Sequence, residues 1–400
     1  MSTAPALGAE TYDVVVAGGG PAGCAAALTL ALSGRTVLLA DAGTGPPKTG
    51  ETLVPAGRVL LGDLGVADRV LRSGHLPCYG NLSAWGSAEL RAVDFINDPH
   101  GHGWHLDRRL FDRRLRDASR AAGAEVAEGT AVRKVVRQAG RGWTLALRGG
   151  TDPAEGGAGD VRTVCCRWVV DATGRAAAIA VRCGARRRAL DRLTAVHACL
   201  EADPRDTDRR SLVESDEDGW WYTAPQPCGR RLVAYFTDTD LPAAPYTARH
   251  FPRRMSATRH VSRWARRHAP GPASAPPTAP RRAAAHTAHL DRVYGDGWIA
   301  AGDAAVAFDP VSSQGVLTAL YTGMNAGRAV DARLSRVNRD DVSALADYAH
   351  KTAAAWTAYL RGHCLIHAQE ARWLHRPFWT RRLTGLPDSS LRPQERRSTP

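Results

Sequence analysis

Three glycines near the start of the chain, Gly18, Gly20 and Gly23, have the spacing of a phosphate-binding turn. They follow the apolar run 12–17, which is typical of a buried strand, and precede an Ala- and Leu-rich segment that predicts a helix. In such a unit the first glycine permits the tight turn, and the second lets the backbone approach a pyrophosphate. The third lets the helix pack closely on the strand, and N–H groups at the helix start attract the phosphates.

An acidic residue, Asp41, ends the next predicted strand at residues 36–40. A carboxylate at this position binds the ribose of a dinucleotide. Glycine-rich turns also occur for purely steric reasons, but here strand, turn, helix, strand and acid follow one another in the required order. The sequence therefore predicts a bound dinucleotide, with Pro21 and Ala22 of the turn also at the cofactor.

Two later buried strands also end in small and acidic residues. Asp171 and Gly174 follow the first of these strands, and Gly302 and Asp303 follow the second. Sheets of α/β proteins bind ligands at the C-terminal ends of their strands. A predicted helix then begins at residues 312–315 and presents free N–H groups. The expected cofactor contacts there are Ser313, Gln314, Gly315 and Val316.

The composition favours a globular enzyme with a large core. Four hundred residues exceed one small domain, so we expect two intergrown domains. The net charge is +13, but only three of the 53 basic residues are lysines and the arginines are spread out, which indicates compositional bias rather than a nucleic-acid surface. The eight cysteines form no C-x-x-C pair, so buried thiols are expected.

The chain has no long apolar run and no basic segment followed by an apolar one at its start. A membrane-spanning helix needs about 18 or more consecutive apolar residues. The sequence therefore predicts a cytoplasmic protein that does not associate with membranes.

Short alternating segments in the second half predict an antiparallel sheet. Such a sheet can form one wall of an apolar pocket, and Trp85, Trp220 and Tyr222 are candidates for this wall. For any one of them, packing between the sheet and its neighbours is at least as common. The predicted strands are residues 195–201, 211–214, 220–223 and 231–237. Other predicted segments are a Gly-rich loop at 151–160, a Pro/Ala linker at 269–280 and a helical tail at 342–373.

Three histidines, His100, His102 and His105, lie close together in the sequence. Glycines between them remove any shared helical face, and no cysteine or carboxylate completes a ligand set, so the sequence predicts no metal site. His105 is a candidate acid or base, although a hydrogen-bonded structural imidazole is the more common case. Residues 46–55 form either an ordered loop near the cofactor or a plain surface connection, and spacing does not distinguish the two.

Several motifs together resemble known families. The turn at 18–23, the Asp171-Ala172-Thr173-Gly174 segment and the Gly302-Asp303 segment resemble the FAD-binding signature of flavin monooxygenases of the p-hydroxybenzoate hydroxylase-like group. The segments KTGETLVP and RWLHRPFWTR resemble the branch that contains the tryptophan halogenases. The stretches GNLSAWGSAELR, DPHGHGWHLDR and GWWYTAP are most similar to halogenase-like flavoproteins that mature tryptophan-derived quinone cofactors. The resemblance covers most of residues 10–385.

This resemblance implies an α/β fold. It consists of a Rossmann-like FAD-binding domain of the glutathione reductase type, an inserted antiparallel β-sheet substrate domain and a C-terminal helical segment. The expected divisions are 10–85, 105–185 and 286–335 for the FAD-binding domain, 86–104 and 186–285 for the substrate domain, and 336–400 for the C-terminal helices and tail.

The resemblance also implies roles for single residues. The three glycines of the turn would hold the FAD pyrophosphate, and Asp41 would hold the adenosine ribose. Arg108 would reach the cofactor from its helix, and Asp303 would bind the ribityl or phosphate portion. Glu51 and the backbone of residues 313–316 would lie beside the isoalloxazine, where N–H dipoles stabilise the negative charge of the reduced ring.

Some positions depart from the halogenase pattern. Tryptophan halogenases carry an essential lysine in a stretch that aligns with Tyr79-Gly80, where this chain has glycine. Arginine cannot replace the compact ammonium donor of lysine. The W-x-W-x-I-P signature appears here as WWYTAP at 220–225, and the glutamate before the halogenase serine aligns with Ser312. These departures disfavour halogenation.

We therefore expect an FAD-dependent monooxygenase that hydroxylates an electron-rich aromatic substrate through a flavin C4a-hydroperoxide. This chemistry needs few acid–base residues, and His105 and Glu51 are the candidates for proton handling. The resemblance implies an indole, tryptophan or phenol, free or peptide-bound, together with dioxygen and electrons from NAD(P)H or a separate flavin reductase. The alternatives are a halogenase with a displaced lysine, a flavin-dependent dehydrogenase or reductase, and a non-catalytic module that keeps FAD structurally.

Overall fold

The chain forms two large β-sheets with helices packed around them, as seen in a computed structural model. The predicted loop at 151–160, most of the linker at 269–280 and the end of the chain beyond residue 384 lie outside the described residues. The structure describes residues 10–43, 48, 51–138, 142–149, 161–201, 205–241, 250–267, 279–335 and 341–384.

The strands of these ranges are numbered β1 to β21 in chain order. They are Glu10–Ala17, Val37–Asp41, Thr52–Leu53, Leu76–Cys78, Gly80–Ala84, Arg91–Asp94, Gly103–His105, Glu125–Glu128, Thr130–Gln138, Gly142–Gly149, Val161–Asp171, Arg187–Ala189, Leu193–Glu201, Ser211–Asp216, Gly219–Pro225, Arg230–Asp238, Arg281–Ala284, Ala288–Leu290, Tyr294–Gly295, Trp298–Ala300 and Val306–Ala307.

The α-helices of the same ranges are numbered α1 to α10. They are Pro21–Leu32, Gly57–Asp63, Ala67–Leu71, Arg108–Ala121, Ala178–Arg182, His250–Ala257, Val261–Arg267, Gly315–Ser335, Ser343–Ala368 and Pro377–Thr384. No described helix combines the length and the apolar character that crossing a bilayer would require.

The first sheet has the central order β20-β11-β1-β2-β8, and these five strands run parallel. The residues in the middle of β1 and β2 are apolar and buried, as expected for a parallel sheet covered on both faces. Ala17 is paired with Ala40 on one side and with Asp171 on the other, and Asp171 is paired with Ala300. The C-terminal ends of four strands are therefore level, which places the three predicted turns along one edge.

Helix α1 packs against α8 at very short range because both helices present small residues. A Cβ atom at Gly323 would overlap the carbonyl oxygen of Ala22, and one at Gly327 would lie 2.9 Å from Cβ of Thr29. The close approach fixes the start of α8 next to the start of α1. Two helix N-termini therefore lie along the same edge of the sheet.

The second sheet has the order β17-β13-β16-β15-β14-β5-β6 and is antiparallel apart from the β14–β5 pair. Its apolar residues alternate between two faces. Trp221 packs with Phe251 on the face covered by α6 and α7. Trp220 and Phe236 belong to the opposite face, and α10 packs behind them with Trp379. The predicted meander is thus present as β13 to β16.

Two local predictions differ from the structure. The predicted buried strand that precedes Gly302 and Asp303 is broken, because Gly297, with φ of +72°, turns the chain between β19 and β20. The predicted helical tail ends at Ala368, and a separate helix, α10, follows. Trp379 of α10 donates a hydrogen bond to the carbonyl of Asp216 at 3.0 Å, so a tertiary contact positions this helix.

Candidate functional site

A cavity of about 1170 Å³ lies between the C-terminal edge of the first sheet and one face of the second sheet. Ligand pockets typically measure roughly 300–1,000 Å³, so this cavity has room for a large cofactor and a substrate together. Residues from all three predicted turns, from the start of α8 and from β13, β15, β16 and β17 contribute to its walls. The cavity is the candidate active site.

The glycine-rich turn forms the narrow end of the cavity. Gly18 has φ of +111°, and a Cβ atom there would overlap the carbonyl oxygen of Ala172. A Cβ at Gly23 would overlap the carbonyl oxygen of Gly18, so Gly23 permits the packing while Gly18, Gly20 and Pro21 line the cavity. Helix α1 has no capping side chain, which leaves its first N–H groups available to an anion.

One lysine also lines this end of the cavity. The ammonium of Lys48 lies 3.6 Å from the position that a Cβ would take at Gly20. The sequence around Lys48 does not show that its side chain lies at the glycine-rich turn, so this residue was not predicted. Its charge adds to that of the α1 N-terminus in favouring phosphate oxygens here.

Asp41 lines the cavity at the end of β2, close to the turn. A Cβ atom at Gly19 would lie 2.7 Å from Cβ of Asp41, so only glycine lets the carboxylate approach the turn this closely. Arg116 of α4 lies 3.5 Å from the Asp41 carboxylate and donates a hydrogen bond of 3.4 Å to the carbonyl of Gly19. The sequence did not identify Arg116, since α4 carries many arginines and only the fold shows which one faces the turn.

Arg108 lies buried at the start of α4 and is held by two carboxylates. It forms a bidentate pair with Asp112, at 3.2 and 3.0 Å, and an ion pair with Glu51. Burial acts to lower the pKa of Arg108, but the two carboxylates outweigh it and raise the pKa. Arg108, Glu51 and Asp112 all line the cavity, so the guanidinium reaches it as a fixed positive charge.

Asp303 lines the cavity beyond the end of β20, 3.4 Å from Nε of Arg175. Loss of hydration in this recess raises the pKa of Asp303, although the charges of Arg175 and Lys48 oppose the shift. At the start of α8, Ser313, Gly315 and Val316 line the same cavity. Three residues of the stretch that is expected to contact the cofactor therefore lie at the cavity.

Besides Gly23, three predicted contact residues do not line the large cavity. The Asp171 carboxylate is fully buried and accepts hydrogen bonds from N–H of Ile179 and Ala180 and from Thr173, so it orients the turn whose Gly174 lines the cavity. Gly302 packs against α1, and a Cβ there would lie 2.7 Å from Cβ of Ala22. Gln314 lines a second cavity instead. We therefore assign positioning roles to Asp171 and Gly302.

The face of the second sheet supplies an aromatic and aliphatic wall. Trp220 and Tyr222 line the cavity, and Trp220 stacks on Phe236 with the ring centroids 3.8 Å apart. His197 also lines this wall, and burial lowers its pKa. Trp85 lies behind Trp220 rather than in the wall, because its indole N–H donates to the carbonyl of Ile366 and draws the ring into the core.

A chain of hydrogen bonds joins the wall to His105. Nε2 of His105 lies 2.7 Å from the carbonyl oxygen of Arg209, so Nε2 carries the proton and Nδ1 is an acceptor. The Thr52 hydroxyl, 3.2 Å from Nδ1, donates to it. The Tyr222 hydroxyl, 3.0 Å from the Thr52 oxygen, donates in turn. Pairing of β3 with β7 places Thr52 directly opposite His105, and sequence spacing did not reveal this pair.

The ring of His105 lies behind the cavity wall and is buried. Burial lowers its pKa to about 4, so the imidazole is neutral near pH 7. Burial also raises the pKa of Tyr222, which keeps its phenol protonated. With its proton directed to Thr52, the Tyr222 oxygen keeps its lone pairs for a group in the cavity. His102 bonds the carbonyl of Gly103, so these histidines do not converge on one point.

Comparison with known proteins places this geometry in a family. Residues 11–361 match the family model described as FAD binding domain. The chain belongs to the FAD-binding domain family. Its cofactor is FAD, and it is a flavin-dependent oxidoreductase of the halogenase and hydroxylase group. The glycine-rich turn, the uncapped start of α1 and Asp41 fit the diphosphate and ribose of this cofactor.

Individual relatives of this chain include an oxidoreductase and a halogenase. LodB of Marinomonas mediterranea, provisionally classed as an FAD-dependent oxidoreductase, is 29% identical over 93% of this chain and 97% of its own length. The flavin-dependent halogenase armH3 of Armillaria mellea is 26% identical over 87% of this chain and 72% of its own.

Solved structures show the same fold. The peptidyl tryptophan dihydroxylase QhpG, described as essential for tryptophylquinone cofactor biogenesis, has a TM-score of 0.74 and 26% identity over 95% of this chain and 80% of its own. The myxobacterial chondrochloren halogenase CndH has a TM-score of 0.80 at 21% identity, covering 95% of this chain and 87% of its own. The α/β fold with an FAD-binding domain is thereby confirmed.

Proposed function

We propose that this protein is an FAD-dependent monooxygenase that hydroxylates an electron-rich aromatic ring. The observation that carries the proposal is the oriented hydroxyl of Tyr222, which lies in the aromatic and aliphatic part of the wall beside Trp220 and Phe236. An aromatic substrate packs against such a wall through its faces and edges, as Trp220 already packs on Phe236. One polar group in a mostly apolar site then sets its orientation.

Tyr222 would accept a hydrogen bond from the N–H of an indole or the O–H of a phenol. Its own proton is committed to Thr52, so its oxygen retains lone pairs that can accept a hydrogen bond, and the residue lines the cavity. This hydrogen bond polarises the substrate N–H or O–H bond and so increases the electron density of the aromatic ring. His105 is the candidate proton acceptor at the other end of these hydrogen bonds. If Tyr222 took the substrate proton, its own proton would pass to Thr52 and the Thr52 proton to Nδ1 of His105.

Bound and reduced, FAD would activate dioxygen and supply the oxygen atom that reaches the ring. The chain's own residues hold the flavin and exclude water. The paired Arg108 and Glu51 place a fixed charge pair in the cavity wall, and Glu51 is the second candidate for proton handling. Asp303 and the N–H groups at the start of α8 would bind the ribityl and ring portions.

Halogenation is the second candidate, and the relatedness to armH3 favours it. The local geometry favours hydroxylation, because the position that aligns with the halogenase lysine is Gly80. A Cβ atom at Gly80 would lie 2.5 Å from the carbonyl oxygen of Val93 and 2.8 Å from Cα of Asp94. No side chain fits there without moving β6. Lys48, the lysine that lines the cavity, lies at the phosphate end near Gly20.

The proposed substrate is an indole, tryptophan or phenol, free or within a peptide. QhpG, which acts on peptidyl tryptophan, supports the peptide-bound form. Electrons would come from NAD(P)H directly or through a separate flavin reductase, in the cytoplasm.

The decisive experiment combines the purified protein, FAD, NADH and a flavin reductase with tryptophan, indole, phenol or a tryptophyl peptide. We expect a product heavier by one or two oxygen atoms that carries label from isotopically enriched dioxygen. Bromide and chloride are present in parallel reactions. A halogenated product would show that the protein is a halogenase. A product that has only lost hydrogen, and that also forms without oxygen, would show that it is a dehydrogenase.

A further inference from the structure

A group of three metal-ligating side chains lies beside the cavity and has no part in the proposed reaction. Asp309 precedes the start of α8, and His363 and His367 lie on α9. One potential ligand atom of each lies within 4.8 Å of those of the other two. Within the ranges that the structure describes, this is the only such group of three His, Cys, Asp or Glu residues.

The hydrogen bonds of His367 leave one nitrogen ready to bind a metal. Its Nδ1 lies 2.8 Å from the carbonyl oxygen of His363, so Nδ1 carries the proton and donates. The other nitrogen, Nε2, therefore has a lone pair, and it is buried with no hydrogen-bond partner. Metal-binding histidines typically have this arrangement, with the second ring N–H bound to a backbone carbonyl.

Asp309 supplies a buried carboxylate to the same place. Its side chain is inaccessible to solvent, and Oδ1 accepts a hydrogen bond of 2.9 Å from N–H of Val311. Oδ2 lies 3.2 Å from Nε2 of His363. One oxygen is thus fixed by the backbone, which orients the other toward the two imidazoles.

The spacing of the histidines suits a shared ligand. Residues four apart on a helix lie on the same face, one turn from each other. The His363 and His367 ring centroids are 4.1 Å apart. Two imidazoles and a carboxylate match the preference of divalent first-row metals, with zinc a common partner.

We propose that Asp309, His363 and His367 bind one divalent first-row transition metal ion, such as zinc. His363 lines the second cavity, of about 520 Å³, so a further ligand would approach from that side. An ordinary Asp–His ion pair accounts for the contact between Asp309 and His363. It leaves the buried lone pair of His367 without a partner, and a metal would satisfy it.

The metal would connect α9 to the turn that leads into α8. Asp309 also lines the large cavity, so the connection would hold the polypeptide next to the flavin. Because the ligands come from segments 54 residues apart, binding would stabilise the folded chain over the unfolded one. This inference is independent of the proposed hydroxylation.

The test is zinc binding to the FAD-loaded, tag-free protein after dialysis against a chelator. Calorimetric titration, metal analysis and a thermal melt with and without zinc are the readouts. We expect about one zinc per chain and a higher melting temperature with zinc. His363→Gln and His367→Gln should each weaken binding about tenfold or more. His350→Gln, an exposed histidine on the same helix, is the matched control and should bind like wild type.

The proposal is overturned if wild type binds zinc no more tightly than the His363→Gln/His367→Gln double variant. It is equally overturned if His350→Gln loses as much affinity as the ligand variants. Should the ligand variants not fold, the wild-type protein decides: no stoichiometric zinc and no zinc-dependent rise in melting temperature would contradict the site. Far-UV circular dichroism and flavin content report folding in every variant.

Discussion

The Thr52 hydroxyl lies 3.2 Å from Nδ1 of His105, on strands that pair directly opposite each other. This contact links a buried imidazole to the Tyr222 phenol and so to the cavity. Because the histidine proton is held by the carbonyl of Arg209, the direction of every hydrogen bond in the chain is determined. The effect of removing one of these hydrogen bonds can therefore be predicted.

Replacing Thr52 by valine keeps the volume of the side chain and removes its hydroxyl. The Tyr222 proton then loses its acceptor, so the phenol turns and no longer presents its lone pairs to the substrate. One lost hydrogen bond of about 1–1.5 kcal/mol predicts a roughly tenfold fall in kcat for hydroxylation. Steady-state product formation measures it, and flavin titration should give an unchanged Kd. Thr52→Ser restores the hydroxyl and should restore kcat. Equal kcat values for Thr52→Val and wild type would refute the role of these hydrogen bonds.

His105 should make stability depend on pH. Its folded-state pKa, about 4, lies below its ordinary value of 6.5, so between these values the unfolded chain binds a proton that the folded chain excludes. The neutral imidazole therefore contributes to the free energy of unfolding above pH 6.5. As the pH falls toward 4, this contribution is lost, by up to about 3 kcal/mol. Urea unfolding at neutral and acidic pH measures it.

The comparison uses His105→Gln, which retains a donor for the carbonyl of Arg209 but does not titrate. Its free energy of unfolding should fall less than that of wild type on acidification. The exposed His350→Gln should follow wild type. Parallel curves for wild type and His105→Gln would show that this imidazole does not resist protonation.

Gly80 should not tolerate any side chain. A Cβ atom 2.5 Å from the carbonyl oxygen of Val93 forces β5 and β6 apart, and overpacking of this kind costs about 1–3 kcal/mol. Gly80→Ala is therefore expected to lower the urea midpoint. Gly62→Ala, in a helix with open space around it, is the control and should be neutral or stabilising. Equal midpoints would remove the steric objection to a lysine at this position.

Asp41 should contribute to FAD affinity. Removing a charged hydrogen-bond acceptor costs about 1.5–3 kcal/mol, so Asp41→Ala predicts a ten- to hundredfold higher Kd for FAD. Quenching of flavin fluorescence measures the Kd. The exposed Asp63→Ala on α2 should leave it unchanged. An unaltered Kd for Asp41→Ala would mean that the ribose is held by other groups, such as Arg116.

The parts of the fold predicted correctly are those with local signals. The strand, turn and helix around Gly18 depend on neighbouring residues, and the alternation in β13 to β16 reports one buried face. The parallel order of the first sheet follows once these units are recognised. Cofactor and family were predictable for the same reason, since their motifs are short and contiguous.

The parts that could not be predicted depend on distant residues. Thr52 and His105 are 53 positions apart, and only the pairing of β3 with β7 brings them together. Trp85 was expected in the cavity wall, but a hydrogen bond to the carbonyl of Ile366 on α9 places it behind the wall. Asp171 carries the right residue type at the right place, yet N–H groups of its own turn satisfy its carboxylate.

Helix α10 supports the substrate wall from behind, so substrate binding depends on the C-terminal part of the chain. Phe378 and Trp379 are completely buried behind the part of the wall that Trp220 forms. The ring centroids of Trp379 and Trp85 lie 5.2 Å apart. A chain shortened before Pro377 would keep all of the described residues that line the large cavity. It would nevertheless lose the two aromatic side chains that pack behind Trp220. Even a late stop codon should therefore yield a protein that binds FAD and is yellow but binds its substrate more weakly.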